Sequence, residues 1–225
     1  PLRWTGAAFT PVGAAGDYAP PYAGLPIGPI GTQLTISLRA RHLPGVRLGG
    51  AVERVLSVLT GQPPAGWGPA EPLARPWDRA DLTSPATLAF IGGGTGRTAA
   101  GTLRVSPAMD GGIAEAATIV IGNPQGVEPQ VAALPALAGE LTGEYAATSV
   151  FAQLGPGRAD LTTEPCWIGA PAPIGLAVTP DLGGLVVLPD VPAEQLDGAW
   201  WYALGDGHDQ DGWHRYRDLM HLLRS

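Results

Sequence analysis

Residues 48–77, LGGAVERVLSVLTGQPPAGWGPAEPLARPW, restrict the fold of this chain more than any other stretch. Val52, Val55, Leu56 and Leu59 recur at three- and four-residue spacing, which gives a helix one apolar face. Glu53 and Arg54 fall off that face. Gly49 and Gly50 lead in, and Gly61 stands where a helix wants a left-handed stop. Pro63 and Pro64 lack the N–H that another turn would need. A helix must end there, and a loop rich in Pro and Gly must follow, carrying Trp67 and Trp77. Such a loop loses less chain entropy on ordering than most. Each indole buries a large apolar area and needs a partner for its ring N–H. Two readings follow. Trp67, Pro69, Glu71 and Trp77 form an exposed docking surface for a partner, or both indoles fold back as a lid on the core.

The remaining periodicities predict an α+β fold, a mainly antiparallel sheet packed by helices. A short strand is expected near Leu2–Phe9. Residues 33–40 alternate Leu34, Ile36 and Leu38 with Thr35, Ser37 and Arg39, the pattern of a half-buried strand, which His42 and Pro44 end. Residues 86–91 and 101–106 flank IGGGTGRTAAG and predict a hairpin with a mobile glycine tip. Residues 114–121 add a third strand to this meander, with a turn at Gly122-Asn123-Pro124. A second helix is expected over 131–145, with Leu134, Leu137, Ala138 and Leu141 on one face and Pro135 in its first turn. Strands follow at 147–154, 174–179 and 185–188. A last helix over 211–224 takes Asp211 as N-cap and presents Trp213, Tyr216, Met220 and Leu223. Three segments result: 1–85 with the first helix and Trp loop, 86–190 with the meander and second helix, and a helical 191–225, in one compact unit. Leu59-Thr60-Gly61 followed by Arg79-Ala80-Asp81-Leu82-Thr83 is echoed by Leu141-Thr142-Gly143 followed by Arg158-Ala159-Asp160-Leu161-Thr162. This echo predicts two quasi-repeated strand–helix–strand halves.

Composition removes several chemistries. Charged residues make up 15% of the 225, against about 25% usually, so part of the surface is expected to be covered by a partner. The net charge is −7 and no basic cluster exists beyond Arg39, Arg41 and Arg47, which excludes a nucleic-acid binder. The chain has no lysine, which removes the phosphate-loop lysine, Schiff bases and lysine general bases together. Gly92–Thr98 is therefore no phosphate loop. Cys166 is the one cysteine, so there is no internal disulfide. It reads as a small buried residue. No serine sits in a G-x-S-x-G elbow. Glu71, Glu115, Glu140, Glu144 and Glu164 read as solvated.

Asp206, His208, Asp209, Asp211 and His214 cluster in GDGHDQDGWH. His208, Asp211 and His214 are the weak candidates for a metal, although an EF-hand pattern fails there. The other reading is a polar loop and a solvated helix face, which His214, Asp218 and His221 would share. No catalytic residue and no cofactor is expected. No apolar run reaches the roughly 18 residues of a span, and no signal peptide is present. A chain opening on Pro1 reads as trimmed, or as the downstream part of a longer protein.

One set of residues resembles a known family. It comprises Pro1-Leu2-Arg3-Trp4, Phe9-Thr10-Pro11-Val12, Leu59-Thr60-Gly61, Pro64-Ala65-Gly66-Trp67-Gly68, Glu71-Pro72, Pro76-Trp77 and Ala159-Asp160-Leu161-Thr162. Together these are similar to an actinobacterial domain-of-unknown-function family marked by its Gly-Trp-Gly loop, over most of residues 1–180. The resemblance implies a further region before Pro1, genes lying near type VII secretion and toxin loci, and no catalytic residues. Secretion systems of that kind use cytosolic chaperone-like adaptors built from two related halves. The expectation is a cytoplasmic, non-enzymatic protein-binding adaptor whose partner is a secreted effector or toxin. An immunity protein that neutralises a basic toxin is the first alternative. A metal-dependent hydrolase using the Asp206–His214 cluster is the second.

Overall fold

A computed structural model of the chain describes residues 2–4, 9–11, 24–180 and 186–223. Among these, the strands are β1 (Leu2–Trp4), β2 (Phe9–Pro11), β3 (Gly31–His42), β4 (Gly66–Gly68), β5 (Arg75–Pro76), β6 (Ala86–Gly94), β7 (Arg97–Pro107), β8 (Ile113–Asn123), β9 (Ala147–Gly157), β10 (Ala172–Val178), β11 (Ala193–Leu196) and β12 (Ala199–Ala203). The α-helices are α1 (Gly50–Thr60), α2 (Leu134–Glu144) and α3 (Gly212–Leu222). β1 and β2 pair as a small ribbon. The other ten strands form one sheet in the order β11-β12-β10-β9-β3-β8-β7-β6-β4-β5. Every neighbouring pair in it is antiparallel. The sheet draws strands from all three segments marked out in the sequence.

The alternation in β3 sets the layers. Leu34 lies between Ile121 and Leu154, Ile36 between Ile119 and Ala152, and Leu38 between Ala117 and Val150. All nine are buried on one face. α1 and α2 cover that face. Val52, Val55, Leu56 and Leu59 of α1 are buried, as are Leu134, Leu137, Ala138 and Leu141 of α2, so both predicted stripes are the packed ones. Each large aliphatic side chain buried this way contributes about 1.5–3 kcal/mol relative to exposure. Left-handed glycines bound α1, Gly49 at φ 77° and Gly61 at φ 80°, and the Gly61 N–H donates to the Ser57 carbonyl.

The predicted meander is present as β6-β7-β8. Its tip turns through Thr95 at φ 51° and Gly96 at φ 77°, the pair of positive φ angles that a tight hairpin needs. The tip is tied down. Thr95 Oγ1 lies 3.1 Å from the Thr60 carbonyl oxygen at the end of α1. A Cβ on Gly94 would sit 2.5 Å from that same oxygen, which accounts for the glycine there.

Four expectations are corrected. Residues 191–225 are not helical throughout, because β11 and β12 form a hairpin before α3. The AWWYA strand buries Trp201 on one face and Tyr202 on the other, so it shows no alternation. Asp211 does not cap α3 through its side chain. Instead its N–H donates to Asp209 Oδ1 at 2.8 Å. Leu2–Phe9 is not one strand. Leu2–Trp4 and Phe9–Pro11 pair with each other, and residues 5–8 lie outside the described residues. The predicted strand 185–188 begins outside them too, and Leu188 makes only an isolated bridge to Val191.

The strands after the two helices enter the sheet in opposite senses. After α1 they run from the edge inward, β4 then β6 then β7. After α2 they run from the centre outward, β9 then β10 then β12. No two-fold relates these described strands in chain order. The echo corresponds to shared local bonds, Thr60 Oγ1 donating to the Leu56 carbonyl and Thr142 Oγ1 to the Ala138 carbonyl, and the Leu82 and Leu161 N–H groups donating to the Arg79 and Arg158 carbonyls.

α3 packs on the other face of the sheet, at the β9–β10 end. There Leu176, Val178, Tyr202, Leu204 and Leu219 form a second buried cluster. Trp213 and Tyr216 rest on Phe151 with ring centroids 6.0 and 4.8 Å apart. No described α-helix covers β3, β8, β7 and β6 on this face. No described helix is long and apolar enough to cross a membrane.

Candidate functional site

The two indoles of the Trp loop pack into and against the core. Trp67 sits in β4 opposite Phe90 of β6 and is 7% exposed. Its glycine neighbours are required by the chain folding back over the strand. A Cβ on Gly66 would lie 2.7 Å from the Leu73 carbonyl oxygen, and one on Gly68 would lie 3.1 Å from that of Ala70. Arg75 lies over the Trp67 ring at 5.2 Å. Trp77 is half-buried, meets Phe90 edge-on at 5.8 Å, and donates its ring N–H to Glu53 Oε1 at 2.8 Å. The exposed-docking reading is therefore corrected for the indoles, since both are drawn inward by Phe90 and the α1 face. Pro69 and Glu71 remain exposed.

The Asp206–His214 loop holds its carboxylates through local bonds. Asp206 Oδ1 accepts the N–H groups of His208 at 2.8 Å and Asp209 at 2.9 Å. These donors hold its carboxyl below the usual aspartate range. Asp209 pairs with Arg215 at 3.1 Å. His214 and Asp211 approach to 3.6 Å on an exposed surface, and His208 is exposed elsewhere in the loop. Among the described residues no three His, Cys, Asp or Glu side chains converge as metal ligands.

Two of the glutamates read as solvated are buried. Glu115 lies in step with Ala117, Ile119 and Ile121 and so points to the helix-covered face, where it is 3% exposed. It accepts the Gly49 N–H at 2.6 Å, at the start of α1, and meets His42 Nε2 at 2.5 Å. A carboxylate at a helix N-terminus is favoured by the unpaired N–H groups there. Glu164 is 7% exposed, accepts the Ile27 N–H at 3.0 Å and pairs with Arg158 at 3.3 Å. Cys166 is buried beside it, as the sequence predicts, with Sγ 3.9 Å from Glu164 Oε1.

One concavity lies where α3 leaves the sheet. It encloses about 710 Å³ between Phe151, Tyr216, Met220 and Leu223 on one side and Ser37, Arg39, Thr118 and Ser149 on the other. The register builds its floor. One row across the sheet reads Leu176, Phe151, Ser37, Thr118, Thr102. The next reads Val178, Ser149, Arg39, Ala116, Arg104. An apolar shelf thus runs directly into a floor of hydroxyls and guanidinium groups. Among the described residues, no Asp, Glu, His or Cys lines the groove. The one legible sequence signal was the Tyr216, Met220, Leu223 spacing on α3. Phe151 and the arginine row are brought to it by pairings distant in sequence.

Among the described residues, an antiparallel sheet with two α-helices behind it and one laid across part of its front defines the class. The family model for the C-terminal domain of DUF6177 matches residues 33–225, and the chain belongs to that family. Comparison with curated proteins and with solved structures gives no match.

Proposed function

We propose that this is a non-enzymatic, cytoplasmic accessory protein that holds another protein against the open face of its sheet, as an adaptor or chaperone of a secretion or toxin system. The observation that carries the reading is the groove between α3 and the uncovered strands. Four strands about 4.8 Å apart, each about 11 residues of roughly 3.4 Å, offer on the order of 700 Å², close to the roughly 800 Å² per partner of a specific interface. An enzyme of acid–base or nucleophilic type would place a base beside its reacting group. Among the described residues that line it, the groove offers hydroxyls but no imidazole, thiol or carboxylate. The immunity alternative needs an acidic contact face, and the described strands of this face contribute arginines and hydroxyls instead.

A photo-cross-linking residue at exposed Thr118, on the groove floor, tests the reading in host cells. A discrete protein adduct is expected there, and none from the same residue at exposed Ala136 on α2. Adducts at Ala136 alone, or at neither position, would defeat it.

A further inference from the structure

The five central strands β3, β6, β7, β8 and β9 contain a single carboxylate, Glu115, and it is buried on the helix-covered face. These strands therefore place no acidic side chain on their open face, in a chain of net charge −7. It carries Arg39, Arg41 and Arg104. Arg41 is engaged by Asp110 at 2.7 Å, which holds that carboxyl below its usual range. Arg39 and Arg104 are exposed, and among the described residues neither has an ion-pair partner. They stand in one row across the sheet, separated by Ala116 alone. Two strand spacings put their backbones roughly 10 Å apart. Ala116 is too short to screen one from the other. Arg39 also lines the groove whose far wall is Phe151, Tyr216, Met220 and Leu223.

We infer that the occupant of this groove is an acidic–apolar segment of a protein partner. One of its apolar side chains sits against Phe151, Tyr216, Met220 and Leu223, and its carboxylates are received by Arg39 and Arg104. The inference rests on the protein-binding reading above and adds the partner's chemistry to it. Guanidinium groups bind carboxylates through paired N–H donors, which fixes orientation as well as charge. Ser37, Thr118 and Thr102 beside them supply further hydroxyls to a bound backbone. Charge complementarity is local here. At a screening length of about 8 Å the acidic remainder of the surface is felt weakly across the sheet. A nucleic acid fits less well, because two free guanidinium groups and no lysine neutralise too few phosphates.

The test selects peptides from an unbiased displayed dodecamer library on the whole chain. Binding of the winners is then measured by fluorescence anisotropy, with a single-stranded DNA dodecamer alongside. The expected winners pair Asp or Glu with a large apolar residue. Arg39→Glu and Arg104→Glu should each weaken them at least about tenfold, as expected for loss of a charged hydrogen bond. Thr118→Trp, which fills the exposed floor, should block them, and all three variants should keep the parent melting temperature. Winners blocked by Thr118→Trp but neutral or basic, and indifferent to both arginine changes, would overturn the acidic partner and leave the groove reading standing. Winners indifferent to all three variants, or none at all, would overturn both. DNA bound as tightly as the peptides, with the same arginine dependence, would replace the protein segment with a polyanion.

Discussion

Replacing Trp67 separates a core indole from a docking one. The side chain is 7% exposed, and burying an indole removes about 150–250 Å² from water. At about 25 cal/mol per Å², that corresponds to roughly 4–6 kcal/mol as an upper figure, because the unfolded chain already hides part of the ring. Trp→Ala in a core costs about 3–5 kcal/mol. β4 has only three residues and lies one strand from the edge of the sheet. It can therefore close partly over the gap, so Trp67→Ala should cost about 3 kcal/mol. In a chain of this size that lowers Tm by about 6–12 °C. The ring N–H is buried without a hydrogen-bond partner. Trp67→Phe therefore strands no acceptor and removes an unpaired donor, so it should cost less than about 1.5 kcal/mol. Urea unfolding followed by far-UV circular dichroism measures both. An unchanged midpoint for Trp67→Ala would show that the indole does not hold the core. Equal losses for Phe and Ala would show that the N–H has a partner that matters.

Two further outcomes follow from the buried and local carboxylates. Glu115→Ala removes the acceptor for the Gly49 N–H and leaves His42 facing a void, so it should destabilise by about 3–5 kcal/mol. A double-mutant cycle with His42→Ala should show that the two losses do not add, and simple additivity would mean the pair does not interact. The Asp206 carboxyl is held below its ordinary value by two backbone donors. Its folded-state pKa is thus depressed, so its contribution is present above the unfolded value and is lost as pH falls through the folded one. Carbon-13 titration of that carboxyl should show an inflection below that of an unstructured aspartate, and an ordinary inflection would mean the loop is open in solution.

The sequence carried the layers of this fold better than its functional face. β3 alternates because one side is covered by helices and the other is not, and α1 and α2 show their stripes for the same reason. β12 is buried on both sides and carries two adjacent tryptophans, so no period marks it. Glu115 was legible in principle, since it occupies an apolar-facing position in its strand. Its partners, His42 and Gly49, lie 73 and 66 residues away. The Arg39–Ala116–Arg104 row could not be seen beforehand, because β3 must be aligned with β8, more than seventy residues downstream, before the two guanidinium groups share a surface. The indoles were ambiguous in the sequence because large aromatic groups serve cores and interfaces alike.

The central position of β3 governs when this molecule can fold. Both its neighbours, β8 and β9, begin more than seventy residues downstream. During synthesis it leaves the ribosome with neither edge occupied. α1 waits with it, because the surface that α1 covers does not exist until the meander arrives. Nonlocal pairings of this kind slow folding and prolong the exposure of strand edges. A nascent chain therefore carries this strand unpartnered at least until β8 is made, and that interval, more than the finished protein, is when it is open to aggregation or to capture by a folding helper.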